Sequence, residues 1–292
     1  MFDWVSTFPE ILDFPLADWI DSGMDWILTN WGPAFDAFGQ GLLQILLTIE
    51  SFLLWVPWFV VILAVVALGW WAIKRWWAGL IFAAFLLMIG SFGYWDLAMQ
   101  TLAIVIAAVF VSLIIGIPTG ILMARSNFAE SLLKPVLDFM QTMPSFVYLI
   151  PALMLFGLGK VPAVFATVIY AVPPVIRLTN VGIRQVSPSV VEAARSMGST
   201  SWQLLRSVQM PLAVPSIMVG INQTTMMALA MVVIASMIGA RTLGLEVLQA
   251  INRIEIGRGV EAGLSIVFLA IIIDRITGAL GARPQKTVKL KG

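Results

Sequence analysis

Long apolar runs alternate with short polar stretches along most of this chain. A transmembrane helix needs about 20 consecutive, mostly apolar residues to cross the hydrocarbon core of a bilayer. Seven runs reach or approach that length: residues 52–71, 78–94, 97–123, 139–159, 161–179, 212–240 and 260–280. The fourth run contains Pro144 and Pro151, which we expect to interrupt its helix. The pattern therefore predicts an all-α integral membrane protein with about seven transmembrane helices.

Residues 1–50 differ from the rest of the chain, because they carry several acidic residues and no Lys or Arg. Four Trp residues lie between the acids, at positions 4, 19, 26 and 31. This composition favours amphipathic helices that lie on a membrane surface. A disordered acidic tail is the alternative interpretation, although disordered segments contain few aromatic residues. A secretory signal peptide would need a basic start, so we expect none here.

Composition excludes several classes of function. Hydrophobic residues make up 60% of the chain and charged residues only 11%, whereas about a quarter of a typical soluble domain is charged. The chain contains neither Cys nor His, so it lacks the commonest metal ligands, and we expect no metal site. The one Gly-Lys pair, Gly159-Lys160, is followed by Val161 and does not complete a P-loop. We therefore expect no catalytic residues and no cofactor bound by this chain itself.

The distribution of Lys and Arg predicts the orientation in the membrane, since cytoplasmic loops carry an excess of both. With the amino terminus outside, 13 of the 17 basic residues fall in inner segments and 4 in outer segments. The outer ones are Lys160, Arg241, Arg253 and Arg258. Adding or removing one span would destroy this separation, so the bias favours seven spans with the amino terminus out and the carboxyl terminus in. In the outer connection after residue 240, apolar residues at helical spacing predict a short surface helix.

The longest inner loop, about residues 180–211, interrupts the apolar pattern. Pro188 suits the first position of a helix, and Gly198 suits its end. Ser189 with Glu192, and Thr200 with Gln203, each have the spacing of a capping box. These signals predict two short helices, the second ending at Pro211. Such a segment fits a groove on a soluble partner, and it equally fits a helix that rests on lipid headgroups.

The same loop resembles the EAA loop of ABC importer permeases. In that pattern Glu-Ala-Ala is followed after three residues by Gly, and after nine more by Ile-x-Leu-Pro. The matching positions here are Glu192, Ala193, Ala194, Gly198, Val208, Met210 and Pro211. Val208 and Met210 are conservative departures, and the other five agree at the family's spacing. The resemblance implies that the loop docks into a cytoplasmic ATP-binding subunit and transmits its closure to the membrane helices.

Residues 138–164, 170–186 and 220–240 are similar to the permeases of glycine betaine/proline betaine importers, and the likeness extends over about residues 97–280. It implies a type I ABC importer permease fold with amino-terminal surface helices, in the inner membrane of a prokaryote. We expect an acidic, Trp-rich outer segment (1–50), two accessory transmembrane helices (51–95), the permease core (96–282) and a basic cytoplasmic tail (283–292). Because only a short basic tail follows residue 280, we expect no fused solute-binding domain and a separate binding protein that delivers the substrate.

The resemblance also implies the partners. Two cytoplasmic ATPase subunits would bind ATP and Mg²⁺, and an external substrate-binding protein would deliver the solute. A second copy of the permease would complete a homodimer in the lipid bilayer. No nucleic acid is expected as a partner. The expected function is passage of glycine betaine, proline betaine or a related compatible solute. The alternatives are an ABC permease for another solute, such as choline or an amino acid, and a secondary transporter or channel that needs no ATPase.

Polar residues beside helix breaks are candidates for the translocation pathway, because transport sites favour interrupted helices and inward-facing polar groups. Gln141 and Tyr148 qualify in the fourth run, and Asn222 and Gln223 qualify in the sixth. The aromatic face of Tyr148 would also attract a quaternary ammonium cation. The alternative is that these residues only tie helices together.

Overall fold

The computed structural model describes residues 15–281, which form helices joined by short turns and contain no β-strand. The helices are α1 (Leu16–Trp55), α2 (Trp58–Ile73), α3 (Trp76–Ser91), α4 (Trp95–Arg125), α5 (Asn127–Thr142), α6 (Leu149–Phe156), α7 (Lys160–Arg184), α8 (Pro188–Ser196), α9 (Ser201–Ile238), α10 (Leu243–Arg253) and α11 (Ile256–Gly281). The basic tail and the first fourteen residues lie outside this range.

Within residues 15–281, five helices are long and apolar enough to cross a membrane, and α5 with α6 makes a sixth if the bent pair counts as one span. The five are α1, α4, α7, α9 and α11. Helices α2 and α3 are apolar but have only 16 residues each. The all-helical class is therefore confirmed, while the number of seven crossings and their orientation stay predictions.

Helix α1 extends further than the sequence pattern indicates. It runs unbroken for 40 residues to Trp55 and includes the first residues of the apolar run 52–71. The break falls at Pro57, because a residue before proline is disfavoured in the α conformation. Val56 accordingly has an extended backbone, with φ −69° and ψ 126°. The expectation that residues 52–71 form a single helix is wrong at this end.

The fourth apolar run is not one helix. Helix α5 begins at Asn127, well before the run, and ends at Thr142; the chain then bends by 110° into a 3₁₀ turn, Ser145–Tyr148, and α6. Pro144 has no N–H to continue α5, and Met143 before it is extended, with ψ 136°. The Tyr148 hydroxyl donates a hydrogen bond to the Met140 carbonyl and closes the bend.

Helix α7 lies at the centre of the core, between α4 and α9. A Cβ atom on Gly120 of α4 would lie 2.6 Å from Cβ of Thr179 and 2.7 Å from the Ile176 carbonyl oxygen. On the α9 side, a Cβ atom on Gly182 would lie 2.8 Å from Cβ of Ser216. Glycine thus allows α7 to approach both neighbours closely, as small residues do in helix pairs within membranes.

An ion pair fastens α1 to the start of α7. The Lys160 ammonium donates to both oxygens of the Glu50 carboxylate, at 2.6 and 2.7 Å, and the Glu50 side chain is only 10% exposed. Earlier in α1, Phe35 contacts Phe156, and Phe38 contacts Phe156 and Phe165. The amino-terminal helix is therefore packed on the core along its second half.

Candidate functional site

Helix α8 is the most exposed helix within residues 15–281, since none of its residues is buried. It begins at Pro188, with Ser187 as N-cap, and Gly198 follows its end with a left-handed φ of 82°. The expected start and stop are therefore confirmed. The expected capping box of Ser189 with Glu192 is wrong, because Ser189 lies inside the first turn and its hydroxyl bonds the Ser187 hydroxyl.

The EAA residues of α8 face outward. Glu192, Ala193 and Gly198 are exposed and Ala194 is half-buried. Among residues 15–281, no ion pair or hydrogen bond engages the Glu192 carboxylate. Exposed apolar side chains follow Glu192 in the same loop, with Met197 at 87% and Trp202 at 59%. An unpaired carboxylate among exposed apolar side chains is suited to contact with another protein.

The remaining EAA positions lie in α9, which does not end at Pro211 as expected. Val208 and Met210 are half-buried and Pro211 is exposed, all within one continuous helix. Residues Leu205–Gln209 form a π-helical turn directly before the proline. A π turn is one of the ways in which a helix accommodates a local misfit, such as the missing N–H and bulky ring of proline. The EAA positions in α9 therefore continue without a break into a helix that is long and apolar enough to cross a membrane.

The start of α9 is fixed at both its cap and its buried face. Thr200 and Gln203 form the expected capping box, with hydrogen bonds of 3.3 and 2.9 Å. Leu205 is buried in a cluster with Ile183 of α7 and Ala213 of α9. The loop is thus attached firmly at its second helix, whereas α8 itself stands away from the core.

Immediately before α8, the last residue of α7 joins three helices. We call this group the Arg184 cluster: Arg184 and Asn180 of α7, Asn127 and Glu130 of α5, and the Met123 carbonyl of α4. The Arg184 guanidinium donates to Asn180 at 3.0 Å, to Asn127 at 2.9 Å and to the Met123 carbonyl at 2.8 Å. It also pairs with Glu130 at 3.0 Å, and Glu130 accepts a 2.9 Å hydrogen bond from Asn180. These contacts hold the carboxyl end of α7 rigidly against α4 and α5.

Neither this cluster nor the Glu50–Lys160 pair was predicted from the sequence. A signal for the pair was present, because Glu50 and Lys160 are isolated charges in apolar surroundings, which usually have a partner. No local pattern could have joined residues 123, 127 and 130 to residues 180 and 184, since the two groups lie at least 50 residues apart in the chain.

The four pathway candidates have different environments in the structure. Gln141 and Gln223 are exposed, and Tyr148 is buried with its hydroxyl bonded across the bend. Asn222 is half-buried between α9 and α11; it donates to Asp274 at 3.1 Å and accepts a hydrogen bond from Thr277. No hydrogen bond joins any two of the four, so their common role in a pathway stays a prediction.

Comparison with known proteins gives consistent matches. A family model described as "Binding-protein-dependent transport system inner membrane component" matches residues 116–286. The chain is 48% identical to the glycine betaine/carnitine transport permease protein GbuB of Listeria monocytogenes, over 95% of this chain and 99% of that protein. It is 45% identical to the glycine betaine/proline betaine transport system permease protein ProW of Escherichia coli, over 96% of this chain and 82% of that protein.

Two further matches agree with these. The glycine betaine transport system permease protein OpuAB of Bacillus subtilis is 46% identical, over 90% of this chain and 93% of that protein. Among solved structures, a chain of the MetNI methionine ABC transporter in inward facing conformations aligns with a TM-score of 0.57 at 20% identity. The alignment covers 62% of this chain and 91% of that chain, and at this identity it shows a shared fold alone.

Proposed function

Because the chain belongs to the family of binding-protein-dependent transport system inner membrane components, we propose that it is the membrane-spanning subunit of an ATP-driven importer for glycine betaine, proline betaine or a related compatible solute. The solute assignment rests on the relatives, which share glycine betaine in their names. Carnitine is the second candidate, since it stands in the name of the Listeria relative.

Coupling to an ATPase is proposed for α8, and the observation that carries it is the unpaired, exposed Glu192 on a helix with no buried residue. Glu192 would make the polar contact to the ATPase. The small side chains of Ala193 and Ala194, and the absence of one at Gly198, would permit close approach. The adjoining Val208, Met210 and Pro211 lie in α9, so a push on α8 would pass directly into a spanning helix.

The transport mechanism we propose is alternating access. ATP bound by the partner favours one arrangement of the membrane helices, and hydrolysis favours the other. A ligand shifts such an equilibrium only by binding one state more strongly than the other, so the docked α8 must make different contacts in the two states. Gln141, Tyr148, Asn222 and Gln223 are proposed to line the route, with weak contacts that let the solute leave.

Reconstitution into liposomes tests this function. We would combine the chain with the ATPase and binding protein encoded beside it and measure uptake of labelled glycine betaine. Uptake is expected only with ATP, ATPase and binding protein together, and unlabelled proline betaine or carnitine should compete, whereas choline or an amino acid should not.

Two results would overturn the proposal. Uptake without the ATPase would indicate a secondary transporter or channel. Competition by choline or an amino acid, without competition by betaines, would indicate an importer for another solute.

A further inference from the structure

A groove between α3 and α11 opens at the amino-terminal end of α3. It encloses a cavity of about 370 Å³, lined by Arg75, Trp77 and Ile81 near the α2–α3 turn and by Ile271 and Arg275 of α11. Phe85 forms its floor, where its ring stacks on Phe268 at a centroid distance of 4.5 Å. We call this cavity the Arg75–Arg275 groove.

The mouth of the groove is cationic. Arg75 makes no ion pair among residues 15–281; its guanidinium lies over the Trp77 ring, 5.6 Å from the centroid. Arg275 is 69% exposed, and its contact with the Asp274 carboxylate is long, at 3.9 Å. Asp274 also accepts the hydrogen bond from Asn222, which directs one of its oxygens toward α9.

The amino-terminal end of α3 adds to this positive potential. Arg75 is the N-cap of the 16-residue helix α3, and no side chain caps it. The first N–H groups of a helix, together with its dipole, favour a negatively charged group near that end. Two guanidinium groups beside a helix amino terminus are a suitable environment for a phosphate.

The inner part of the groove is apolar. Ile81, Phe85 and Ile271 line it along the direction of α3 and α11, away from the two arginines. Trp70, Trp71, Trp76 and Trp77 surround the α2–α3 turn and are exposed. Exposed Trp at a helix end is typical of the boundary between hydrocarbon and headgroups. The groove therefore places an anion site at headgroup depth and an apolar channel at acyl-chain depth.

We propose that the Arg75–Arg275 groove is a binding site for an anionic phospholipid. The phosphate lies between Arg75 and Arg275 at the end of α3, and an acyl chain lies against Ile81, Phe85 and Ile271. The charge argues for this occupant over a second copy of the chain, because a symmetric contact here would bring these arginines close to their counterparts, and no carboxylate lines the groove. The bound lipid would join the α2–α3 hairpin to α11.

Native mass spectrometry tests the site without any transport measurement. The full-length chain, in the complex in which it purifies, is titrated with phosphatidylglycerol or with phosphatidylcholine of the same acyl chains. The wild-type chain should bind phosphatidylglycerol roughly tenfold more tightly, and Arg75→Gln/Arg275→Gln should abolish that preference, since each basic residue near an anionic headgroup strengthens binding severalfold.

Two matched variants separate the groove from general charge. Arg125→Gln/Lys134→Gln removes two exposed cations outside the groove and should leave the preference unchanged. Ile271→Trp fills the groove, keeps both arginines, and should weaken phosphatidylglycerol binding. The thermal unfolding midpoint of each variant shows whether that variant is folded. If Arg75→Gln/Arg275→Gln does not fold, Ile271→Trp still tests the groove.

The proposal is overturned if wild type binds the two lipids equally, or if Arg75→Gln/Arg275→Gln retains the preference. It is also overturned if Trp77→Cys, a unique thiol in a chain without cysteine, cross-links readily to its counterpart in a second copy, because the groove would then be covered by protein.

Discussion

At the residue scale, two charged side chains close in sequence have opposite environments. Glu192 is exposed and has no partner within residues 15–281, whereas Arg184 bonds to four different residues on α4, α5 and α7. An unpaired exposed charge costs little in an isolated chain and remains available to a partner. A guanidinium with several partners instead holds its helix in place. The proposed docking residue and the residue that fixes its base therefore serve different purposes.

Reversal of the Glu192 charge should abolish uptake without affecting the fold. In Glu192→Lys the proposed polar contact to the ATPase becomes repulsive, while no ion pair or side-chain hydrogen bond within residues 15–281 is lost. Uptake in liposomes and the amount of protein in the membrane fraction are the two measurements. Gln185→Lys adds the same charge to an exposed residue just outside α8 and should transport normally. Wild-type uptake by Glu192→Lys would contradict the coupling role.

Loss of the Arg184 guanidinium should destabilise the protein by about 2 kcal/mol, because hydrogen bonds to charged groups contribute in that range. Arg184→Met should lower the thermal unfolding midpoint, and Arg184→Lys should restore only part of it, since an ammonium cannot make the same planar set of contacts. Arg195→Met on exposed α8 is the control and should leave the midpoint unchanged. An equal midpoint for Arg184→Met and Arg195→Met would show that the cluster contributes nothing.

At the element scale, glycine contacts and one ion pair decide how the helices pack. Helix α7 approaches α4 and α9 at Gly120 and Gly182, and α1 is joined to α7 through Glu50 and Lys160. Both kinds of contact suit a membrane, where dispersion contacts and polar pairs hold helices together in place of the hydrophobic effect.

Gly120→Ala should destabilise the α4–α7 crossing by about 1–3 kcal/mol, which is typical of overpacking. The added Cβ would lie 2.7 Å from the Ile176 carbonyl oxygen, a backbone atom that cannot move away alone. Gly263→Ala in α11 has no atom within 4 Å of its new Cβ and should be neutral or stabilising, since Ala favours helix more than Gly. Thermal unfolding of both variants in one detergent provides the comparison, and equal midpoints would refute the close crossing.

Removing one member of the Glu50–Lys160 pair should cost more than removing both. Glu50→Ala leaves the Lys160 ammonium without a counter-charge, a loss of about 3 kcal/mol for a largely buried pair. A double-mutant cycle with Lys160→Ala measures the coupling. Restoration of the midpoint by Glu50→Lys/Lys160→Glu would support a direct pair, and purely additive effects would contradict it.

At the scale of the whole molecule, the chain carries one EAA loop, and a pair of ATPase subunits would need two. We therefore predict that the purified complex contains two copies of this chain and two ATPase subunits. Native mass spectrometry measures the stoichiometry directly. A complex with a single copy would contradict the expected homodimer.

Much of the fold could be predicted from the sequence because its signals are local. Apolar runs indicated most of the long helices, Pro188 and Gly198 marked the limits of α8, and Thr200 with Gln203 gave a true capping box. One error concerns proline as a signal for the end of a helix. Pro144 ended α5 as expected, yet Pro211 did not end α9, because a π-helical turn precedes it.

The sequence by itself determined the all-helical class, the family and the residues of the helix proposed for coupling, because each of these follows from patterns within single segments of the chain. Only the tertiary structure decided that Glu192 has no partner among residues 15–281, that Arg184 joins three helices and that Glu50 meets Lys160. It also brought Arg75 of the α2–α3 turn beside Arg275 of α11. These contacts join residues far apart in the chain, and their geometry depends on how closely the helices pack, which no local pattern records.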